Sequence, residues 1–193
     1  LGVSNIQLTS QKRGFSFTNP EAELDMRVDI ASQGPKASDL LNGLREDHLQ
    51  ALFAKVLKYS EARGLAKEIV ERRERKPFAT VGDFLGVTKK VRGKKDLHPG
   101  TLPFLALRMA VNSELENLAE TLPKAFSLLK SGGKLLVITF HSGEEKVVLD
   151  FYFEKEREGS AKILTKRSVT PTLKEIRENP RARSAELWVL EKI

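Results

Sequence analysis

The chain has 193 residues, of which 40% are apolar and 31% charged, so it is long enough for a folded domain with a small insert and too apolar for intrinsic disorder. It contains no cysteine, which excludes disulfides and cysteine-ligated zinc, and its three widely separated histidines predict no metal site. The formal net charge of +7 favours a polyanionic partner, with nucleic acid the first choice. The longest apolar run, 135–140, is too short to cross a membrane and the first residues lack a signal-peptide pattern, so we expect a cytoplasmic protein with no membrane partner.

Residues 1–35 are rich in Gly, Ser, Asn, Pro and Gln and sustain no apolar period, which predicts a long loop. Loops of this length are uncommon in compact domains unless they are functional. From 36 to about 100 the pattern becomes helical, with starts predicted at Ser38, Asp47 and Thr80 and a further helix over 61–73. These segments predict a small all-helical unit.

The stretch from Glu71 to His98 is strongly basic, with nine Lys and Arg residues against four Asp and Glu. It therefore carries +5 of the net charge. Two interpretations stay open from sequence: a solvated face with a loose loop, or a surface that faces phosphates.

The second half alternates helical and strand patterns. Thr101 to Leu129 predicts one long helix that kinks or restarts at Pro123, because proline lacks a backbone donor. The run 134–140 is typical of a strand buried on both faces, and a capping box predicts the next helix, with Ser142 as its cap. With further strands expected near 161–167 and 185–192, these elements predict half of an open α/β sheet.

Two places in this half carry side chains suited to chemistry or binding. Ligands of open α/β sheets bind beyond the C-terminal ends of strands, and His141 occupies such a position before a helix N-terminus. It either completes the turn or orients a substrate. Arg181 and Arg183 stand in a polar loop before the last strand, where they are either solvated or placed to bind RNA phosphates.

Six segments in order together resemble one family, the bacterial small-subunit rRNA cytosine-N4 methyltransferases. The segments, each with the family pattern that it matches, are Leu1–Leu8 (D-L-G-V-S-S-x-Q-L-D), Arg13–Phe17 (R-G-F-S-F), Leu24–Asp29 (L-D-M-R-M-D), His98–Leu115 (H-P-A-T-R-T-F-Q-A-L-R-I-x-V-N-x-E-L), Gly132–Glu145 (G-G-R-L-x-V-I-S-F-H-S-L-E-D) and Asn179–Leu187 (N-P-R-A-R-S-A-K-L). Each motif alone is weakly specific. Six with matching order and spacing over essentially the whole chain are highly specific.

This resemblance implies an α/β fold: the C-terminal part of a class I (Rossmann-like) methyltransferase sheet with an inserted all-helical domain. Residues 1–35 would form an active-site loop region of the methyltransferase domain, 36–100 the inserted helical substrate-recognition domain, and 101–193 the C-terminal part of the methyltransferase domain. The chain starts without Met, directly after the aspartate of the first motif. We therefore expect it to begin inside a longer protein, beyond the glycine-rich cofactor loop.

The resemblance also implies a reaction, S-adenosylmethionine-dependent N4-methylation of a cytidine in small-subunit (16S) rRNA or in the assembling 30S subunit. By motif position, the implied site residues are Ser4, Asn5 and His141 for catalysis, Gly2 and Gln7 for cofactor binding, Arg27, Asn112, Arg181 and Arg183 for RNA binding, and Asp25 as a further polar active-site residue. No metal is implied. The oligomeric state is left undetermined, and a homodimer stays open.

The chain departs from the family patterns at several positions. Asn5 replaces the second serine, Leu102 replaces an arginine expected to contact RNA or substrate, and Glu145 replaces an aspartate. A second hypothesis, from a different functional class, is a non-catalytic RNA-binding protein derived from the substrate half of the methyltransferase.

Overall fold

The computed structural model describes residues 13–31, 33–89, 91 and 97–193. The chain forms two compact units, Leu1–Glu114 and Leu115–Ile193. The helices of the first unit are α1 (Ala37–Gly43), α2 (Glu46–Ala54), α3 (Tyr59–Arg73), α4 (Val81–Thr88) and α5 (Thr101–Val111). No helix in the described ranges has the length and apolar character needed to span a bilayer.

Aromatic rings form the centre of the first unit. The ring of Phe84 in α4 lies 5.0 Å from that of Phe104 in α5 and 6.1 Å from that of Phe53 in α2, and all three side chains are buried. Apolar residues at helical spacing thus bury one face of each helix against the others. Helix α5 belongs to this core, so the compact unit extends past residue 100; the division into 1–35, 36–100 and 101–193 stays a prediction.

The helix starts follow the sequence only in part. Helix α4 is capped by Thr80, as predicted: its hydroxyl accepts the N–H of Asp83 at 3.2 Å. The predicted caps at Ser38 and Asp47 are wrong, because α1 and α2 each begin earlier, after Lys36 and Arg45. At α1, the carboxylate of Asp39 accepts the N–H of Lys36 at 2.8 Å, which moves the start two residues towards the N-terminus.

The long helix predicted over 101–129 is two helices, α5 and α6 (Glu114–Ser127). The helix is interrupted at Asn112–Ser113, where Ser113 takes a left-handed backbone conformation with φ of 48°. Pro123 lies inside α6, so the helix does not restart there, and a kink at Pro123 stays a prediction. The break occurs where the Asn112 side chain bonds to backbone groups outside the helix.

The second unit combines α6 with a three-stranded sheet and further helices. Its remaining elements are β1 (Lys134–Thr139), α7 (Ser142–Arg157), β2 (Ala161–Ile163), α8 (Leu173–Glu178), a 3₁₀ helix (Pro180–Ser184) and β3 (Glu186–Lys192). The strand order is β1-β3-β2, with β3 antiparallel to both neighbours. The predicted α/β class is confirmed. The paired strands are antiparallel, while β1 and β2, which α7 connects, run parallel to each other with β3 between them.

One face of this sheet is buried by α7. Val148 and Tyr152 of that helix are fully buried, and the Tyr152 hydroxyl donates to the Leu135 carbonyl at 3.0 Å. On the opposite face Leu136 and Ile138 are 58% and 56% exposed. The prediction that this strand is buried on both faces is therefore wrong for the part of the chain described, because helix packing covers only the face towards α7.

Candidate functional site

The predicted site residues fall into three groups by position. Asp25, Arg27 and Asn112 lie together in the first unit. His141 and the two arginines 181 and 183 lie in the second unit. The remaining four lie outside the described residues: Gly2, Ser4, Asn5 and Gln7.

Asp25 and Arg27 form a bidentate ion pair. Their Oδ1–Nε and Oδ2–Nη2 distances are 2.7 and 2.9 Å, and both side chains are largely buried. Burial alone would raise the pKa of Asp25, but the hydrogen bonds and charge of Arg27 outweigh it and lower that pKa below its ordinary value of 3.8. Asp25 is therefore ionised at neutral pH and fixes the Arg27 guanidinium in one orientation.

The backbone between these two residues is held in an uncommon conformation. Met26 has φ of 61°, which costs a non-glycine residue of order 1 kcal/mol or more. The Arg13 carbonyl accepts the N–H of Met26 at 2.9 Å, and the Arg13 guanidinium donates to the Arg27 and Val28 carbonyls at 3.3 and 3.2 Å. Sequence reasoning missed Arg13, although its place directly before Gly14 in a matched motif was an available signal.

Asn112 holds the same segment from the end of α5. Its Oδ1 accepts the N–H of Val28 at 2.8 Å, and its Nδ2 donates to the carbonyls of Met26 and Arg108 at 2.8 and 2.9 Å. Both amide protons and one oxygen lone pair thus bind the protein's own backbone. Asn112 is a positioning residue for this strained segment, and its contact with RNA stays a prediction.

Two further motif segments, Arg13–Phe17 and His98–Leu115, meet beside the helical core. The ring of Phe17 stacks on that of His98 at 4.6 Å and contacts Phe104 edge-on at 5.7 Å. Gly14 has φ of 73°, and a Cβ there would lie 2.7 Å from the Glu23 carbonyl oxygen. The glycine of this motif is therefore required by backbone geometry. The residues of both motifs order the segment that precedes Asp25.

His141 caps α7 in place of the predicted Ser142. Its Nδ1 accepts the N–H of Glu144 at 3.2 Å, and the Glu144 carboxylate accepts the N–H of Phe140 at 2.8 Å. Because Nδ1 accepts, a neutral ring carries its proton on Nε2, which lies 3.6 Å from a Glu144 carboxylate oxygen. The predicted cap at Ser142 is wrong because Ser142 is already the first residue of the helix, which begins one residue earlier than a Ser142 cap requires. A catalytic role for His141 stays a prediction.

A carboxyl pair lies near this strand end. Burial and the neighbouring Glu186, whose carboxylate hydrogen-bonds to it, raise the pKa of Glu145 above its ordinary value of 4.5. Glu186 begins β3 and pairs with Thr139, the last residue of β1. The sequence could not indicate this pair, because strand register alone brings the two residues together.

The 3₁₀ helix before β3 displays both predicted arginines. Ala182 is 8% exposed, whereas Arg181 and Arg183 on either side of it are exposed. The backbone thus turns a small apolar residue inward and both guanidinium groups outward.

Three of the nine cations in the basic stretch of the first unit bind the protein itself. The Arg73 guanidinium donates to the Leu41 and Leu44 carbonyls at 2.8 and 2.6 Å. Arg72 and Lys76 both pair with Asp83, at 3.3 and 2.9 Å. Three cations that sequence alone assigns either to solvent or to phosphates therefore stabilise the fold.

A family model described as the MraW methylase family matches residues 1–193. The chain belongs to the MraW methylase family. The resemblance inferred from six ordered segments is thereby confirmed.

Several relatives of this MraW family member share one name. The proteins named ribosomal RNA small subunit methyltransferase H from Coprothermobacter proteolyticus and Chlamydia caviae are each 44% identical to it, over 195 and 196 residues. The protein of that name from Methylacidiphilum infernorum is 42% identical over 206 residues. Each match covers 100% of this chain and 64%, 66% and 65%, respectively, of the relative. The chain thus spans less than two thirds of their length.

Proposed function

We propose that this protein functions as an S-adenosylmethionine-dependent methyltransferase that modifies the N4 amine of a cytidine in small-subunit (16S) rRNA. The observation that carries the proposal is the family match over residues 1–193, with relatives named as small-subunit rRNA methyltransferases. The substrate is the RNA itself or the assembling 30S subunit. The site of action is then the cytoplasm, where that RNA is processed.

The topology of the second unit supports a Rossmann-like, class I sheet. Strands β1 and β2 are parallel and are connected by α7, the arrangement by which parallel strands of open α/β sheets are joined. An antiparallel strand within such a sheet is common among α/β folds. In this proposal the helices over 36–100 form an inserted substrate-recognition domain.

The reaction demands positioning above all. The exocyclic amine of cytosine is a weak nucleophile because its lone pair is delocalised into the ring, so the site must hold N4 in line with the transferred methyl. The sulfonium of the bound cofactor supplies that methyl. Ser4 and Asn5 would accept the N–H bonds of the amine, and Gly2 and Gln7 would contact the cofactor.

In the proposed site, the described residues would supply orientation and positive charge. The Asp25–Arg27 pair presents a fixed guanidinium on a segment that Arg13 and Asn112 hold in place. A guanidinium fixed in this way is suited to a phosphate or a base edge of RNA. His141 would orient the substrate from the end of β1.

Nucleoside mass spectrometry of small-subunit RNA tests the proposal. Deleting the gene should remove the N4-methylcytidine signal, and restoring the wild-type gene should return it. An empty vector is the control for restoration. An unchanged signal in the deletion strain would contradict methyl transfer and favour the non-catalytic RNA-binding alternative.

A further inference from the structure

The connection between β2 and β3, residues 164–185, concentrates positive charge in the second unit. It contains two carboxylates, Glu175 and Glu178, against six cations. The cations are Lys166, Arg167, Lys174, Arg177, Arg181 and Arg183. The net charge of +4 over 22 residues is more than half of the +7 of the chain.

These cations face solvent, unlike the half-buried Arg72 and Arg73 of the first unit. All six side chains are exposed, and the ion pair that one of them makes is Lys174 with Glu178 at 3.9 Å. Within the described ranges, no carboxylate lies within 4.0 Å of the other five. Their charge is therefore available to a ligand.

The connection is nevertheless held on ordered backbone. Val169 and Leu187 exchange two backbone hydrogen bonds of 3.0 Å, and the N–H of Leu164 donates to the Val189 carbonyl at 2.9 Å. The Thr165 hydroxyl accepts the N–H of Val189 at 3.1 Å. Bonds to β3 thus fix the first part of the connection, and burial of Ala182 fixes the last. Cations on fixed backbone lose less entropy when they bind.

We propose that the connection 164–185 binds the phosphate backbone of small-subunit rRNA, with Lys166, Arg167 and Arg177 extending the contacts predicted for Arg181 and Arg183. This inference rests on the proposed function, which makes RNA the polyanion that the protein meets. Arginine forks match phosphate oxygens in a bidentate manner, and several cations along one segment match the repeating charge of a nucleic-acid strand. The connection would thus fix the register of the RNA without reading its bases.

Salt-dependent binding to in vitro transcribed small-subunit rRNA tests the inference. The double variants R181Q/R183Q and K166Q/R167Q should each flatten the slope of log Kd against log salt by about 1.5, because a protein that makes fewer phosphate contacts releases fewer counterions on binding. Each should also weaken binding roughly tenfold at 0.15 M salt. The control K124Q/R157Q removes two exposed cations of the same unit outside the connection and should keep the wild-type slope. R181K/R183K retains the charge and should keep it as well.

Three outcomes would overturn the inference. They are slopes equal to that of the control, weaker binding with an unchanged slope, and loss of binding to the assembled subunit but not to naked RNA, which would indicate a ribosomal protein surface. The proposed function fails separately: if the wild-type protein forms no N4-methylcytidine on RNA or subunit, methyl transfer is wrong, while the slopes still decide the role of the connection.

Discussion

Gly14 shows how one backbone angle fixes a residue type. Its φ of 73° and the 2.7 Å approach of a hypothetical Cβ to the Glu23 carbonyl oxygen leave no room for a side chain. We expect Gly14→Ala to lower the free energy of unfolding by about 2 kcal/mol, measured by urea denaturation. The control is Gly43→Ala at the end of α1, where nothing lies within 4 Å of the new methyl. Equal stabilities of the two variants would contradict this account.

The repulsion within the Glu145–Glu186 pair predicts that one substitution raises the free energy of unfolding in a pH-dependent way. Because the folded-state pKa of Glu145 is raised, its stabilising contribution is fully present below its ordinary pKa of 4.5 and is lost as the pH rises through the raised value. At neutral pH the two carboxylates repel each other. Glu145→Gln should then raise the free energy of unfolding at pH 7 by up to about 1 kcal/mol, with no gain at pH 4.

Glu158 provides the control for that experiment. Lys155 hydrogen-bonds to it and lowers its pKa, so removal of its charge relieves no repulsion. Thermal melts of wild type and both variants at pH 4 and pH 7 test this, and Glu158→Gln should show no gain in the free energy of unfolding at pH 7. A gain at pH 7 for both variants would point to net charge rather than to the Glu145–Glu186 pair.

At the scale of elements, Asp83 ties the start of α4 to the end of α3. Burial raises its pKa, but the Lys76 ammonium and the N–H groups of Thr80 and Ala79 lower it to about 2. The lowered pKa means that this stability is present above the ordinary value of 3.8 and is lost as the pH falls through about 2.

Asp83→Asn should therefore lower the free energy of unfolding by about 2 kcal/mol at pH 7, with the difference from wild type closing towards pH 2. Asp47→Asn is the matched control, because that carboxylate is exposed and its charged partners, Arg45 and His48, are exposed as well. A constant difference between Asp83→Asn and wild type from pH 7 to pH 2 would contradict this account.

Element type was predictable from sequence where apolar spacing decides it. The helices over 36–111 and the strands β1 and β3 follow their apolar periods. Some element ends were predictable too, among them the Thr80 cap of α4 and the start of α5 at Thr101. The break at Asn112 was missed because its cause is a set of bonds to a segment more than 80 residues away.

The residues of the candidate site were predictable from the family resemblance, but the contacts between them were not. The motifs named Asp25, Arg27 and Asn112, yet nothing local indicates that the Asn112 amide binds the backbone of Met26 and Val28. The burial of β1 was overestimated because an apolar run does not reveal which face a helix covers.

At the scale of the whole molecule, net charge divides into cations that stabilise the fold and cations that face solvent. Arg73 belongs to the first kind, since it donates to two carbonyls at the end of α1. Arg73→Gln should lower the free energy of unfolding by about 2 kcal/mol in urea denaturation. Arg63→Gln, on the exposed side of the same helix, should change it by less than about 0.5 kcal/mol. Similar losses in both would contradict this division.

The bonds of Asn112 also determine when the candidate site forms during folding. They join residues 84 and 86 positions apart, so the chain must close a long loop before the Met26 segment can be fixed. We expect Asn112→Ala to speed unfolding while the refolding rate stays nearly constant, because these contacts form after the transition state. In hydrogen exchange the amides of Met26 and Val28 should then open locally, before the helical core unfolds. The strained segment would thus be the last part of its unit to order and the first to be released.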